Sequence, residues 1–289
     1  MKLINIYKQL LKETEYNQKF DYIGDFKFGF KRVKLNNKFN ILNKEGKLIS
    51  DIWFDFVYDF NDDLAPVKLN DKFNLINKEG KLLFKTWYDK IHFFNKFGFA
   101  KVLLNNKQNY INKEEQLLFK TWFDYVYDFN KFGLAPVKLN DKYNFINRKG
   151  KLLSNIWFDY IGDFNDNGLA EVKLNDKQNY INRKGKLLSN IWFDWVDEYD
   201  NNGLAKVGLN DKVNLINREG KLLSNIWFYY IGDFNEFDFV EVLLNEKENL
   251  INTEGKLLFK TWYDKIKIIN NNKFILNNNK TYKLLIIKK

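Results

Sequence analysis

The chain has 289 residues, 45% of them hydrophobic and 18% aromatic, and carries a formal charge of +10 at pH 7. That is ample apolar material for a core and excludes a disordered chain. With no cysteine and one histidine, His92, it also excludes disulfide frameworks, thiolate zinc sites, cysteine nucleophiles and nearly every His-based triad.

Leu3, Ile6, Tyr7, Leu10 and Leu11 recur at helical spacing, which predicts an amphipathic helix over 1–19 that caps one end of the remaining chain. This stretch has no uninterrupted apolar segment and no small-residue cleavage site, so a secretory signal is not expected. The expected location is the cytoplasm, or a virion or host cytoplasm for a phage-encoded chain. Further along, Asn, Asp or Lys interrupts every apolar run within a few residues, so no membrane span is expected.

From Phe20 onward the chain repeats itself, in units 20–53, 54–87, 88–122, 123–157, 158–192, 193–227 and 228–262, with a degenerate eighth unit or C-terminal cap over 263–289. The shared frame is aromatic, Asp, x, Ile or Val, then a further aromatic and a turn, then (Leu/Phe)AxVxLN(D/N)KxNxINxxGKLLxxxW. KLLFKTWYDKI at Lys81 to Ile91 returns unchanged at Lys256 to Ile266, five units later, which points to recent duplication.

Within a unit the apolar period is two. Ala170, Val172 and Leu174 share one face while Glu171 and Lys173 point away, the pattern of a half-buried strand. Asn175-Asp176, like Asn70-Asp71 and Asn140-Asp141, predicts a two-residue hairpin turn with positive φ. Asn182 to Gly185 predicts a type I turn closed by a left-handed glycine, a slot filled by Gly46, Gly80, Gly150, Gly185, Gly220 and Gly255 but by Glu115 in the third unit, whose turn should be the most strained or the most altered. Pro66 and Pro136 sit between Ala and Val of the second strand, so that N–H is expected at a strand start or an unpaired edge. Such a meander cannot bury its own apolar face and is stable only against its neighbours.

The frame resembles the WG (KWG) repeat, whose pattern runs aromatic-Asp-x-Ile, Phe-x-x-Gly-Leu-Ala-x-Val, Lys-Trp-Gly-x-Ile-Asp, x-x-Gly. The units opening FDYV at Phe123 and FDYI at Phe158, with GLAPV and GLAEV, match it best. Where the family has Trp-Gly, this chain has Phe39-Asn40, Phe73-Asn74, Gln108-Asn109, Tyr143-Asn144, Gln178-Asn179, Val213-Asn214 and Glu248-Asn249. The resemblance implies an all-β array in bacterial and phage proteins, without a common enzymatic activity and with a tendency to bind or scaffold.

The predicted fold is therefore all-β, tandem meander repeats of about 35 residues in an open solenoid or superhelical array, with a seven-bladed propeller-like ring as the alternative. Trp53, Trp87, Trp122, Trp157, Trp192, Trp227 and Trp262 are read as packing between units rather than as a ladder for sugars or bases. Only one of two adjacent strand residues faces inward, so either the tryptophan or the aromatic after it is partly exposed. The acid next along, replaced once by Tyr229, is expected to accept turn N–H groups or pair with a lysine.

Catalysis finds no constellation, and neither a cofactor nor a metal is expected, since no DxDxDG spacing occurs. The lysines recur at fixed places beside Asp or Asn rather than in one block, so a nucleic-acid partner is not expected. The columns that vary within the copied frame, Phe39, Phe73, Gln108, Tyr143, Gln178 and Val213, together with Asn144, Asn179 and the turn Asn165 to Gly168, are the candidate binding residues. The expected function is a non-enzymatic protein-binding or scaffolding module; the alternative is carbohydrate recognition.

Overall fold

The computed structural model describes residues 19–286, and every element of regular structure from Tyr22 on is a β-strand. The helix expected over 1–19 lies, but for its last residue, outside the described residues. The strands form eight antiparallel three-stranded sheets, each in chain order, and the chain divides into two compact units, Met1–Asn140 with Phe145–Leu152 and Asp141–Asn144 with Leu153–Lys289. Both are built on the same plan.

The fifth sheet shows that plan. A short strand, Tyr160–Ile161, lies beside a central strand, Leu169–Leu174, which turns back into a third, Lys177–Asn182. The register sets Ile161 against Val172, and Val172 against Asn179. The turn has φ of 50° at Asn175 and 61° at Asp176, as a type I′ turn requires, and the same pair of positive angles recurs at Asn70-Asp71 and Asn210-Asp211.

The core lies between successive sheets. Leu75, from the third strand of one repeat, packs with Phe84, Tyr88, Ala100, Val102 and Ile111, most of them from the next. Each repeat thus completes its neighbour's core, the nearest-neighbour arrangement that stabilises repeat arrays.

Pro66 departs from expectation. It sits inside the central strand Leu64–Leu69, opposite Leu75, rather than at a strand start or an edge. The short strand's last paired residue is Val57, opposite Val67, and Tyr58 then donates its N–H to the Pro66 carbonyl at 2.9 Å. The ladder uses this position's C=O, and its nitrogen faces the point where the short strand is already leaving. Proline therefore removes no ladder bond there.

Candidate binding surface

The joints between repeats account for most of the copied frame. Phe39 N–H donates to the Phe54 carbonyl at 2.7 Å and Phe54 N–H returns to Phe39 at 2.9 Å, a one-residue bridge that recurs down to Glu248 and Tyr263. Beside each bridge stands the acid of the frame. One oxygen of Asp55 takes the Asn70 N–H of its own hairpin turn at 2.6 Å, and the other pairs with Lys38 of the preceding repeat. Asp89, Asp124, Asp159, Asp194 and Asp264 repeat both contacts. The lysine hydrogen bond, and then the turn N–H, hold these carboxyls below the usual range. At Tyr229 the acid is missing and Lys212 lies over the tyrosine ring instead, 5.5 Å from its centroid.

The seven joint tryptophans are half-buried and the aromatic after each is the inward residue, with Phe54, Phe158 and Phe228 wholly buried. Phe20, Phe54, Phe158, Phe193 and Phe228 each meet the tryptophan that ends their own repeat, as in Phe193 and Trp227 at 6.4 Å. The glycine that closes the last turn lies directly on the preceding repeat. A Cβ at Gly185 would stand 1.7 Å from the Leu153 carbonyl oxygen, and at Gly220 1.8 Å from that of Leu188. Glu115 keeps the left-handed backbone, φ 61°, and instead grips the preceding repeat through its carboxylate, which accepts the N–H groups of Lys85 (2.8 Å) and Thr86 (2.9 Å). Burial pushes that carboxyl up, but these N–H groups outweigh it and hold it below its ordinary value.

Asn144 and Asn179 are not on a recognition surface, contrary to the expectation from their sequence pattern. Both are fully buried, and the Asn179 amide donates to the carbonyls of Ser189 (2.9 Å) and Ile191 (3.0 Å) while its oxygen accepts from Tyr180 (2.8 Å) and Ser189 (3.3 Å). Asn40, Asn74, Asn109, Asn214 and Asn249 are buried in the same way. The donors and acceptors come from the strand and from the LLS or LLF segment ten to twelve residues on, so a ladder within the repeat satisfies them.

The variable column is half-buried and turned toward the next repeat. Gln108 and Gln178 give their side-chain oxygens to the N–H of Val126 (3.0 Å) and Val196 (2.8 Å), and the buried Glu248 does the same for Ile266 (2.7 Å). Phe39 packs on Phe56, with centroids 5.2 Å apart, and Phe73 on Tyr58 at 6.3 Å. Tyr143 and Val213 are half-buried, each at its own joint bridge, to Phe158 and Phe228. The turn Asn165 to Gly168 is closed by its own asparagine, which accepts the Leu169 N–H at 3.1 Å.

What the surface presents instead is the x of aromatic-Asp-x-Ile. This first residue of the short strand is Tyr22, Phe56, Lys90, Tyr125, Tyr160, Trp195 and Tyr230 in turn. Tyr125 is 43% exposed, Tyr160 45% and Trp195 37%, large values for such side chains. A cation lies over several of the rings: Arg32 over Phe56 at 5.2 Å, Lys101 over Tyr125 at 5.8 Å and Lys173 over Tyr160 at 5.3 Å. Tyr127 widens the surface, 4.6 Å from Tyr125. Trp195 rests on its register partner Gly208, where a Cβ would come within 2.0 Å of the indole nitrogen. The other repeats have Lys or Leu at that position, so the glycine makes room for the larger ring. An aromatic at x in six of seven repeats was the signal that could have revealed this column in the sequence.

A second surface lies at the opposite end of the hairpins, in the first compact unit. Arg148 lies 4.8 Å from the Phe97 ring, and its Nε would stand 2.7 Å from a Cβ at Gly133. Lys96, Phe97, Phe99, Phe132 and Lys149 complete an open cleft around it. His92 lies elsewhere, with its side chain exposed, and desolvation, then Lys101 and Lys90, lower its pKa. No described helix is long and apolar enough to cross a membrane.

No curated protein matches the chain. Among solved structures, Hsv2p of Kluyveromyces lactis is similar at 13% identity and a TM-score of 0.26, over 76% of this chain and 88% of that one. Sqt1 of Saccharomyces cerevisiae is similar at 10% identity and 0.26, over 92% and 95%. A protein of unknown function from Bacteroides caccae is similar at 16% and 0.24, over 66% and 89%. The WG containing repeat matches at residues 41–73, 75–107, 110–143, 145–177 and 180–212, each match beginning on the third strand of one repeat and ending in that of the next. With its all-β repeats, its copied joints and these five matches over more than half its length, the chain belongs to the WG repeat family.

Proposed function

We propose that the chain is a non-enzymatic binding module whose partner is another protein, contacted through the aromatic residues of its short strands. The observation that carries this is the exposure of Tyr125, Tyr127, Tyr160 and Trp195, with lysines over Tyr125 and Tyr160, in a molecule whose other large aromatics mostly pack into joints. Tyr, Trp and Arg are the residues that dominate protein interfaces, since they bring large area at low conformational cost. Residence in the cytoplasm is part of the same proposal and rests on the sequence alone.

Carbohydrate recognition lost its polar half when Asn144 and Asn179 proved buried and saturated. The test is cross-linking in the producing cell, comparing the native chain with a variant carrying Tyr125→Ser, Tyr127→Ser, Tyr160→Ser and Trp195→Ser. A protein captured by the native chain and lost from the folded variant supports the proposal. Equal capture by both removes the aromatic column from it, and saturable binding to immobilised oligosaccharides replaces the protein partner with a glycan.

A further inference from the structure

The basic charge of this chain is unevenly committed. Lys38, Lys72, Lys107, Lys142, Lys177 and Lys247 are tied to the joint carboxylates, and Lys101 pairs with Asp128 at 2.9 Å. Lys96, Arg148 and Lys149 have no carboxylate partner among the described residues, and all three line the cleft with Phe97, Phe99 and Phe132. Asp128 is already held by Lys101 and by the Tyr110 hydroxyl at 3.3 Å.

Two features make this more than a patch of surface lysines. The Arg148 guanidinium lies beside the Phe97 ring, in the space that a side chain at residue 133 would need. A guanidinium beside a ring, with no carboxylate partner, keeps N–H groups for a planar, two-oxygen acceptor. The wall behind it is a continuous set of rings, Phe97 to Phe129 at 5.8 Å, Phe129 to Tyr110 at 5.1 Å and Phe99 to Phe129 at 6.5 Å, stacked over the buried core.

We propose that this cleft binds an acidic protein segment that places a carboxylate on Arg148, flanking acids near Lys96 and Lys149, and one apolar side chain against Phe97, Phe99 and Phe132. Charge complementarity selects the occupant: three uncommitted cations on a chain of net charge +10 favour an anionic partner, and the phenylalanine wall favours one with an apolar anchor. A carboxylate suits the planar edge of one guanidinium better than the several dispersed phosphates of a nucleic acid, which are met by rows of cations. The proposal shares the protein-binding reading but places a contact away from the aromatic column.

The probe is a synthetic peptide carrying fluorescein on its amino terminus, fluoresceinyl-Glu-Glu-Asp-Leu-Glu-Glu-amide, titrated with the full chain by anisotropy at low and physiological salt. Saturable binding that weakens at least tenfold in Arg148→Ala, falls part-way in Arg148→Lys, and weakens when the probe's leucine is replaced by serine supports the proposal. The Tyr125→Ser, Tyr127→Ser pair must leave the affinity unchanged, so failure here and failure of the aromatic-column reading are distinguishable. Circular dichroism of each variant separates lost contact from lost fold. The proposal is overturned by no binding at millimolar peptide, by equal affinity in Arg148→Ala, or by a single-stranded oligonucleotide or inorganic phosphate displacing the peptide at lower concentration.

Discussion

Replacing Asn179 with alanine tests the reading of the asparagine column as part of the core. The side chain makes four hydrogen bonds with backbone groups, to the carbonyls of Ser189 and Ile191 and from the N–H groups of Tyr180 and Ser189, at a position 1% exposed. Alanine leaves all four groups facing a space closed to bulk water. At about 1 kcal/mol for each buried bond lost, the cost is about 4 kcal/mol, at the upper end of what single substitutions do. For a compact unit of this size that is a fall in melting temperature of roughly 10 °C. Calorimetry measures the fall, and hydrogen exchange should locate the loss of protection in 177–191, the segments the amide ties together. Asn167→Ala, on an exposed turn, is the control and should melt with the native chain. If Asn179→Ala melts within about 2 °C of the native protein, the buried network is not what holds this segment, and the column returns to the candidates for binding.

Three further outcomes concern the joints. Gly185→Ala forces a Cβ against the Leu153 carbonyl at φ +82° and should cost more than about 3 kcal/mol, whereas Gly98→Ala, at φ +81° with nothing within 4 Å, should cost only the left-handed backbone penalty of about 1 kcal/mol; urea unfolding of the two variants checks the difference. The joint carboxyls have folded pKa values below their unfolded ones, so their contribution is complete above the ordinary carboxylate range near pH ~4 and is lost as pH falls through the depressed values. Melting temperature should therefore drop most steeply below pH ~4, and Asp159→Asn should make that drop shallower. Tyr229→Asp should restore the contacts to Lys212 and to the Asn245 turn, raising stability at neutral pH by at most about 1 kcal/mol, as partly exposed pairs do; a thermal melt at pH ~7 beside the native chain measures the gain.

The fold was legible because its signals are local. Period two along Leu169 to Leu174 and the Asn175-Asp176 turn each depend on a few adjacent residues, and both reappear in the structure. The roles of the Asn and Gln columns are not legible in the sequence for a physical reason. Asparagine at a strand position is ordinarily exposed, and nothing within KQNYIN reveals that the carbonyls of Ser189 and Ile191 come to lie across it. The Arg148 cleft was beyond sequence reasoning altogether, since Phe97 and Arg148 lie 51 positions apart and meet only because the loop ends of two repeats stack.

Variation among copies of one unit therefore does not by itself mark recognition. The Phe39 to Glu248 column varies because each joint is already held by a backbone bridge, leaving the side chain there free to be an acceptor, as in Gln108 and Gln178, or a packing ring, as in Phe39. The x column shows the reverse: apart from Phe56, which packs on Phe39 across a joint, its aromatics face solvent and should drift, yet six of seven copies are aromatic. Recent duplication explains part of that sameness, but not Trp195. Its indole occupies the space that a side chain at 208 would need, so this copy changed twice and the outcome was a larger aromatic at the same exposed place. A position that has lost its duplicate identity and kept its chemical character is the better guide to a surface in use, and it points to the short strands.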